Sequence, residues 1–463
     1  MSRPTRVAAR LPSTTRRRVL HALAASGLVG FVERNVALAQ GAPDYKALVC
    51  VFQLGGNDGE NTLIRYDTAG YQNYAAIRPP ASAINISQSQ LLPIQPARGG
   101  PPFGFHPACA PLRALFNQRR LAVVANVGIL AQPSAKAGLE AQTTPRPANL
   151  FSHSDQMLAL QSADHRGFTR IGWGGRIADR LGAFNASVLF PPLTSVNGLQ
   201  TFVFGETSIP LTVPPGSLFQ LNGSGPGRFQ FDALRDAALR EILAQEQSNV
   251  YDLVAQLLSE EGLAASSVVT PILRDAGSVV SPFFANVSGQ VAAQFKTIAQ
   301  LIEGRAQTQL KRQVFFVAQN GYDTHGNQAG THQSLLAELS DGIGTFQNAL
   351  QALGMTDNVT TFTLSEFGRT LKPSANAGTD HGWGDYTYVV GGAVKGGDFY
   401  GTLPVQALNG PDDLGNAGRW IPTTSLEQYG ATLCRWFGIA EADLPYVFPN
   451  SGAFGNTNLG FMA

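Results

Sequence analysis

The chain has 463 residues, 33 Lys and Arg against 32 Asp and Glu, 50 Gly, 28 Pro and only 14% charged residues. If the first 39 residues are removed, 26 basic residues face 31 acidic ones, a mildly acidic balance. That balance excludes the electrostatic footprint of a nucleic-acid or anionic-membrane binder, and the Gly and Pro content predicts long connections.

Residues 1–39 read as an export signal. Arg3, Arg6, Arg10, Arg16, Arg17 and Arg18 precede an apolar stretch from Val19 to Val32. That stretch is shorter than the roughly 20 apolar residues of a membrane-spanning helix. Ala37-Leu38-Ala39 then offers the small-x-small pattern of a cleavage site. Thr15-Arg16-Arg17-Arg18-Val19-Leu20 resembles a twin-arginine motif, which implies the twin-arginine translocase as a partner and a periplasmic or extracellular mature protein. No later run reaches transmembrane length.

Residues 40–463 read as one α/β domain. Apolar strand-like runs at Ala47 to Leu54, Leu121 to Val127, Val314 to Val317, Thr360 to Leu364 and Tyr386 to Val390 alternate with helical patterns. This rhythm predicts a mostly parallel sheet covered on both faces, a three-layer α/β/α fold. Residues 79–107, rich in Pro, Gly, Ser and Gln, read as a surface loop. Cys109, Leu112 and Phe116 share one face of a helical pattern. Residues 185–305 break the rhythm and read as an inserted helical and irregular region. Leu335, Leu339, Ile343, Phe346, Leu350 and Leu353 mark a strong amphipathic helix between the third and fourth strands. Cys50, Cys109 and Cys434 leave room for one disulfide in an oxidising compartment, but each sits in an apolar element and reads as a buried thiol.

Ligands of open α/β sheets bind beyond the carboxyl ends of the strands, and the unusual polar residues gather there. The first strand is followed by Gly55-Gly56-Asn57-Asp58-Gly59, and the loop after the second by Phe151-Ser152-His153-Ser154-Asp155-Gln156. Tyr322-Asp323-Thr324-His325-Gly326-Asn327 follows the third, Ser365-Glu366-Phe367-Gly368-Arg369-Thr370 the fourth, and Gly378-Thr379-Asp380-His381-Gly382-Trp383 precedes the fifth. Each cluster alone has a plain reading as a turn, a helix cap or a solvated loop. Placed together, Asp, Glu and His at strand ends point to a divalent-metal site. His106, His165 and His332 read as structural.

These motifs, in this order, resemble a secreted bacterial family of domain-of-unknown-function proteins related to sulfatases and alkaline phosphatases. The resemblance implies an alkaline-phosphatase-like fold and hydrolysis of phosphate or related esters. It implies Asp58, Asp323, His325, Glu366, Asp380 and His381 as ligands of one or two divalent metals (zinc, calcium, magnesium or manganese). It further implies Ser152 or Ser154 as nucleophile and Arg369 as an oxyanion clamp. This chain has Glu366-Phe367 where the superfamily ends a strand in an Asp-His pair, and Phe cannot bind metal. Two alternatives accompany this reading. Cys109-Ala110-Pro111-Leu112-Arg113 matches the Cys-x-Pro-x-Arg of sulfatases, which convert the Cys to formylglycine. A non-catalytic envelope binding or assembly protein would keep the fold without the chemistry.

Overall fold

The computed structural model describes residues 45–185, 190–216, 231–245, 249–274 and 277–463; the expected signal at 1–39 lies outside them. Among the described residues, the main sheet contains β1 (Lys46–Leu54), β2 (Leu121–Gly128), β3 (Leu193–Ser195), β4 (Leu211–Thr212), β5 (Arg312–Asn320), β6 (Val359–Ser365), β7 (Asp385–Val390), β8 (Asp398–Tyr400) and β9 (Thr424–Ser425). Their order across the sheet is β8-β2-β7-β6-β1-β5-β3-β4, with β9 beside β2. All five strands expected from the apolar runs are present. β1 pairs in parallel with β5 and β6, so Leu54, Asn320 and Ser365 deliver the chain to one edge. β7 is the exception: it runs antiparallel to both neighbours, and its amino end lies at that same edge.

Strand periodicity explains the layers. Successive side chains of β1 point to opposite faces, so both faces must be apolar to be covered. Ala47, Val49 and Val51 pack with Leu112, Phe295 and Ile343. These belong to α1 (Ala110–Asn117), α6 (Gln290–Glu303) and α7 (Gln328–Ala352). Leu48, Cys50 and Phe52 pack on the other face with Leu160, Ile177 and Leu433. Those come from α2 (His153–Ser162), α3 (Trp173–Ala178) and α8 (Leu426–Phe437). The protein is therefore a three-layer α/β/α fold on a mostly parallel sheet. The amphipathic helix expected around Leu335 to Leu353 is α7, with Leu339, Ile343, Phe346 and Leu350 buried.

Two stretches differ from their sequence reading. Residues 79–107 contain Leu92–Ile94 and Phe103–Phe105, which join Leu63–Arg65 in a small antiparallel sheet that buries Ile94, Phe103 and Phe105. Within 185–305, β3 and β4 extend the main sheet and α6 fills its core, because Val291, Phe295, Ile298 and Ile302 lie on one buried face. Among the described residues of this stretch, α4 (Asp232–Leu243) and α5 (Val250–Leu273) stand mostly off the core. Cys50, Cys109 and Cys434 are free and buried. No helix of the described residues is long and apolar enough to cross a membrane.

Candidate metal centre

The turn after β1 lets the neighbouring strand ends approach. Gly55 and Gly56 have φ of +116° and +85°, a region that side chains disfavour. A Cβ at Gly55 would lie 2.3 Å from the Asp323 nitrogen, and one at Gly56 would lie 2.6 Å from the Phe367 ring. The Gly55 N–H donates to Glu366 Oε1 at 2.7 Å, tying the end of β1 to the end of β6. Beyond Pro373 the chain returns as a hairpin in which Arg369 stands directly opposite His381.

Four side chains converge in front of this turn: His153, Asp323, His325 and His381 each place one ligand-type atom within 4.8 Å of the others. Asp323 Oδ1 lies 3.1 Å from His325 Nε2, 3.3 Å from His153 Nε2 and 3.5 Å from His381 Nε2. The Nε2 atoms of His325 and His381 are only 2.8 Å apart.

The other ring nitrogens explain this convergence. His153 Nδ1 lies 2.9 Å from Glu366 Oε1, His325 Nδ1 lies 3.1 Å from Asp380 Oδ1, and His381 Nδ1 lies 2.7 Å from the Phe151 carbonyl. Each of these oxygens accepts, so Nδ1 carries the proton in a neutral ring and the Nε2 lone pair faces the common centre. Two lone pairs at 2.8 Å repel unless a cation or proton lies between them. The His153 Nε2 is moreover buried without a hydrogen-bond partner. The Phe151 carbonyl reaches His381 because Phe151 adopts φ +78°, an uncommon conformation for a bulky residue.

Phe367 supplies the floor. Its ring centroid is 4.8 Å from that of His153 and 4.7 Å from that of His381, stacked on the latter at 27°. The residue that cannot bind metal therefore fixes two imidazoles. Hydrogen bonding to Glu366, against the opposing cost of burial, raises the His153 pKa; burial lowers that of His381. Burial alone would raise the Asp323 carboxyl, but the Arg369 hydrogen bond and charge hold it below the usual carboxylate range.

Of the remaining expected residues, Asp380, Glu366 and Arg369 contact members of the cluster, and Asp58 does not. Asp380 and Glu366 contact histidines through Nδ1 and stand behind the ring nitrogens that converge. Arg369 is fully buried, and its guanidinium donates to the carbonyls of Gly55, Gly56, Tyr322 and Thr379 and to Asp323 Oδ1. With its donors so engaged it holds Asp323 and the turn, which corrects its expected role as a free oxyanion clamp. Asp58 does not join the cluster: its carboxylate receives Arg78 Nη1 at 2.8 Å and Nη2 at 3.0 Å, with both side chains fully buried, and Gln328 donates to it as well. Burial would raise the Asp58 pKa, but Arg78 lowers it overall. The expected ligand is thus half of a buried ion pair.

The Phe-Ser-His-Ser motif contributes its histidine to the cluster. Ser152 stands at the N-cap position of α2 without a capping hydrogen bond from its side chain; its Oγ donates to Asp155 Oδ2 at 2.5 Å and lies 3.3 Å from the Ser154 hydroxyl. Neither hydroxyl has a hydrogen bond to the cluster among the described residues. His332 is buried against Asn57 Oδ1 and pushed down to about 3 by burial; His106 accepts from the Ala108 N–H.

A family described as a protein of unknown function (DUF1501) matches residues 284–416, the part of the chain that carries Asp323, His325, Glu366, Arg369, Asp380 and His381. No curated protein matches the chain. Three similar solved structures share 10% identity with it. The structure of Ps i-CgsB in complex with k-i-k-neocarrahexaose aligns over 89% of this chain and 75% of its own, with a TM-score of 0.34. The PsFucS1 sulfatase from Pseudoalteromonas sp. aligns over 89% and 71%, with a TM-score of 0.34. A 2-O GAG sulfatase aligns over 88% and 75%, with a TM-score of 0.31.

Cys109, the residue of the Cys-x-Pro-x-Arg match, is fully buried in the core with Leu112 and Phe116. Burial pushes its thiol well above the usual range. A formylglycine there would face apolar side chains on the α1–α7 side of the sheet, and this placement corrects the reading of Cys109 as a reactive residue.

Proposed function

We propose that the protein is an exported, metal-dependent hydrolase of phosphate or related esters, built on a single divalent ion held by His153, Asp323, His325 and His381. The observation that carries this reading is the convergence of three Nε2 lone pairs and one carboxylate oxygen, each imidazole being held from behind. Three imidazoles and a carboxylate fit zinc better than calcium or magnesium, which prefer all-oxygen sets. When bound, such an ion supplies a Lewis acid and lowers the pKa of a coordinated water.

The protein's own residues set the rest. Glu366, Asp380 and the Phe151 carbonyl fix the imidazole tautomers, Phe367 fixes two ring planes, and Arg369 fixes Asp323. The side chains of Asp323 and His325 are 49% and 46% exposed, so an anionic ester reaches the centre from their side. Because the Ser152 hydroxyl is committed to Asp155, we assign the attacking group to water.

Mature protein purified from its own cells is expected to carry one metal per chain by elemental analysis and to hydrolyse an aryl phosphate or aryl sulfate. Chelation should remove both properties, and zinc should restore them. Ser152→Ala and Ser154→Ala should keep activity within a few-fold of the parent, and the hydrogen bond of Ser152 to Asp155 should cost no more than about 1 kcal/mol to remove. Two metals per chain, or inactivity of either serine variant, would refute this arrangement. A metal-loaded protein inert toward every ester would leave the binding or assembly reading.

Export through the twin-arginine translocase belongs to the same proposal. Arg16→Lys combined with Arg17→Lys is expected to hold the precursor in the cytoplasm, as cell fractionation would show; normal export of the double variant would count against it.

A further inference from the structure

A second polar cavity lies at the far end of α2. His153 begins this helix at the metal cluster and Ser162 ends it, about 14 Å away at 1.5 Å per residue. The cavity has a volume of about 430 Å³, within the range of small-ligand sites, and its walls include Ser162, His165, Arg176, Glu206 and Asn450.

Its charge arrangement is unusual. Arg176 is 4% exposed, and its guanidinium donates to the carbonyls of Val447, Ile171 and Ser162. Among the described residues no carboxylate comes within ion-pair distance of it. Three carbonyls leave two of its five N–H groups uncommitted, and Asp164, Asp179 and Glu206 act on its charge only from beyond ion-pair distance. Arg166, also on the wall, is already paired with Asp164 at 3.1 Å. Two further polar atoms are orphaned there: the Ser162 hydroxyl, on a fully buried residue, and His165 Nδ1 are both buried without a partner. Orphaned buried polar groups cost free energy that a bound ligand recovers.

We infer that this cavity binds a monoanionic group, a carboxylate or a sulfate ester, with Arg176 as counter-charge and Ser162 and His165 as hydrogen-bond partners. A dianion is disfavoured because Arg176 is the one cation on the wall without an ion-pair partner, and the carboxylates of Glu206 and Asp164 share the cavity. The site is separate from the metal centre and stands whether or not that centre is catalytic.

The test is titration of the full mature chain with acetate, methyl sulfate and inorganic phosphate at mildly alkaline pH and constant ionic strength, read by ligand-observed NMR and thermal shift. With the metal centre disabled by His381→Ala, acetate or methyl sulfate is expected to bind, and the phosphate dianion at least roughly tenfold more weakly. Ser162→Ala and Arg176→Lys should each weaken binding by roughly tenfold, the loss of a hydrogen bond to a charged group. His381→Ala should leave it unchanged. The inference fails if none of the three anions binds better than chloride. It fails equally if binding is unaltered in Ser162→Ala, or is lost with His381→Ala. Should Arg176→Lys not fold, Ser162→Ala decides alone.

Discussion

Asp58→Ala is expected to destabilise the protein by about 3–5 kcal/mol, the typical result of breaking a buried ion pair from one side. The variant leaves the Arg78 guanidinium buried, with Asn61 Oδ1 and the carbonyls of Leu371 and Thr370 but no anion. Its metal content should stay at the parental ratio, because the Asp58 carboxylate is committed to Arg78 and Gln328 and is not one of the four clustered groups. Denaturant unfolding with elemental analysis of the same samples measures both quantities. Metal loss with unchanged stability would restore Asp58 as a ligand and overturn this assignment. The pair also has a pH signature. The folded-state pKa of Asp58 is lowered, so its contribution is fully present above the ordinary carboxylate range and is lost as pH falls through the lower folded value. Asp58→Ala should therefore flatten the acid limb of the stability profile.

His153→Ala is expected to have the larger effect on metal. Loss of an outer-shell partner typically costs about 10–100-fold in metal affinity, and loss of a ligand itself should cost more. Glu366→Gln, which can keep an oxygen at the Oε1 position for both the Gly55 N–H and His153 Nδ1 but removes the carboxylate charge behind the ring, should fall within that outer-shell range. Ester hydrolysis should follow metal occupancy in both variants. The His153 side chain is 29% exposed, so folding should survive its removal. Competition with a chromophoric chelator ranks the three proteins. If His153→Ala binds metal as tightly as the parent, the four-ligand centre is wrong.

The fold was largely readable from the chain because burial writes itself into spacing. A strand covered on both faces, such as Lys46–Leu54, must be a continuous apolar run, and α7 must repeat its large residues every three to four positions. Strand direction leaves no such trace, so the antiparallel β7 was invisible. Part of the cluster was also readable, since polar residues at the ends of apolar strands stand out, and the side chains of Asp323, His325 and His381 do lie near one another. What spacing did not reveal was partnership. Arg78 lies twenty residues beyond Asp58, beside the Pro- and Gly-rich stretch, and nothing local announces that the two meet. In the Phe-Ser-His-Ser run, hydroxyls flanking a helix start drew the eye, whereas the intervening imidazole enters the centre. A histidine one residue after a cap, with carboxylate motifs at other strand ends, was the available signal. The φ of Phe151 and the ring-stacking role of Phe367 depend on tertiary packing and had no sequence signature.

The placement of β1 has a consequence for how such a chain is assembled. Lys46 pairs with Arg312 and Ala47 with Val359, so the central strand of the sheet waits for partners made far later in synthesis. Pairings this distant in sequence fold slowly and leave unpaired strand edges exposed in the interim. His153 likewise meets Asp323, His325 and His381 only when the strand that enters from the opposite direction has brought His381 to the rim. Capture of an ion at this point would therefore report that nearly the whole chain has closed, making occupancy a marker of completed folding as well as of chemistry.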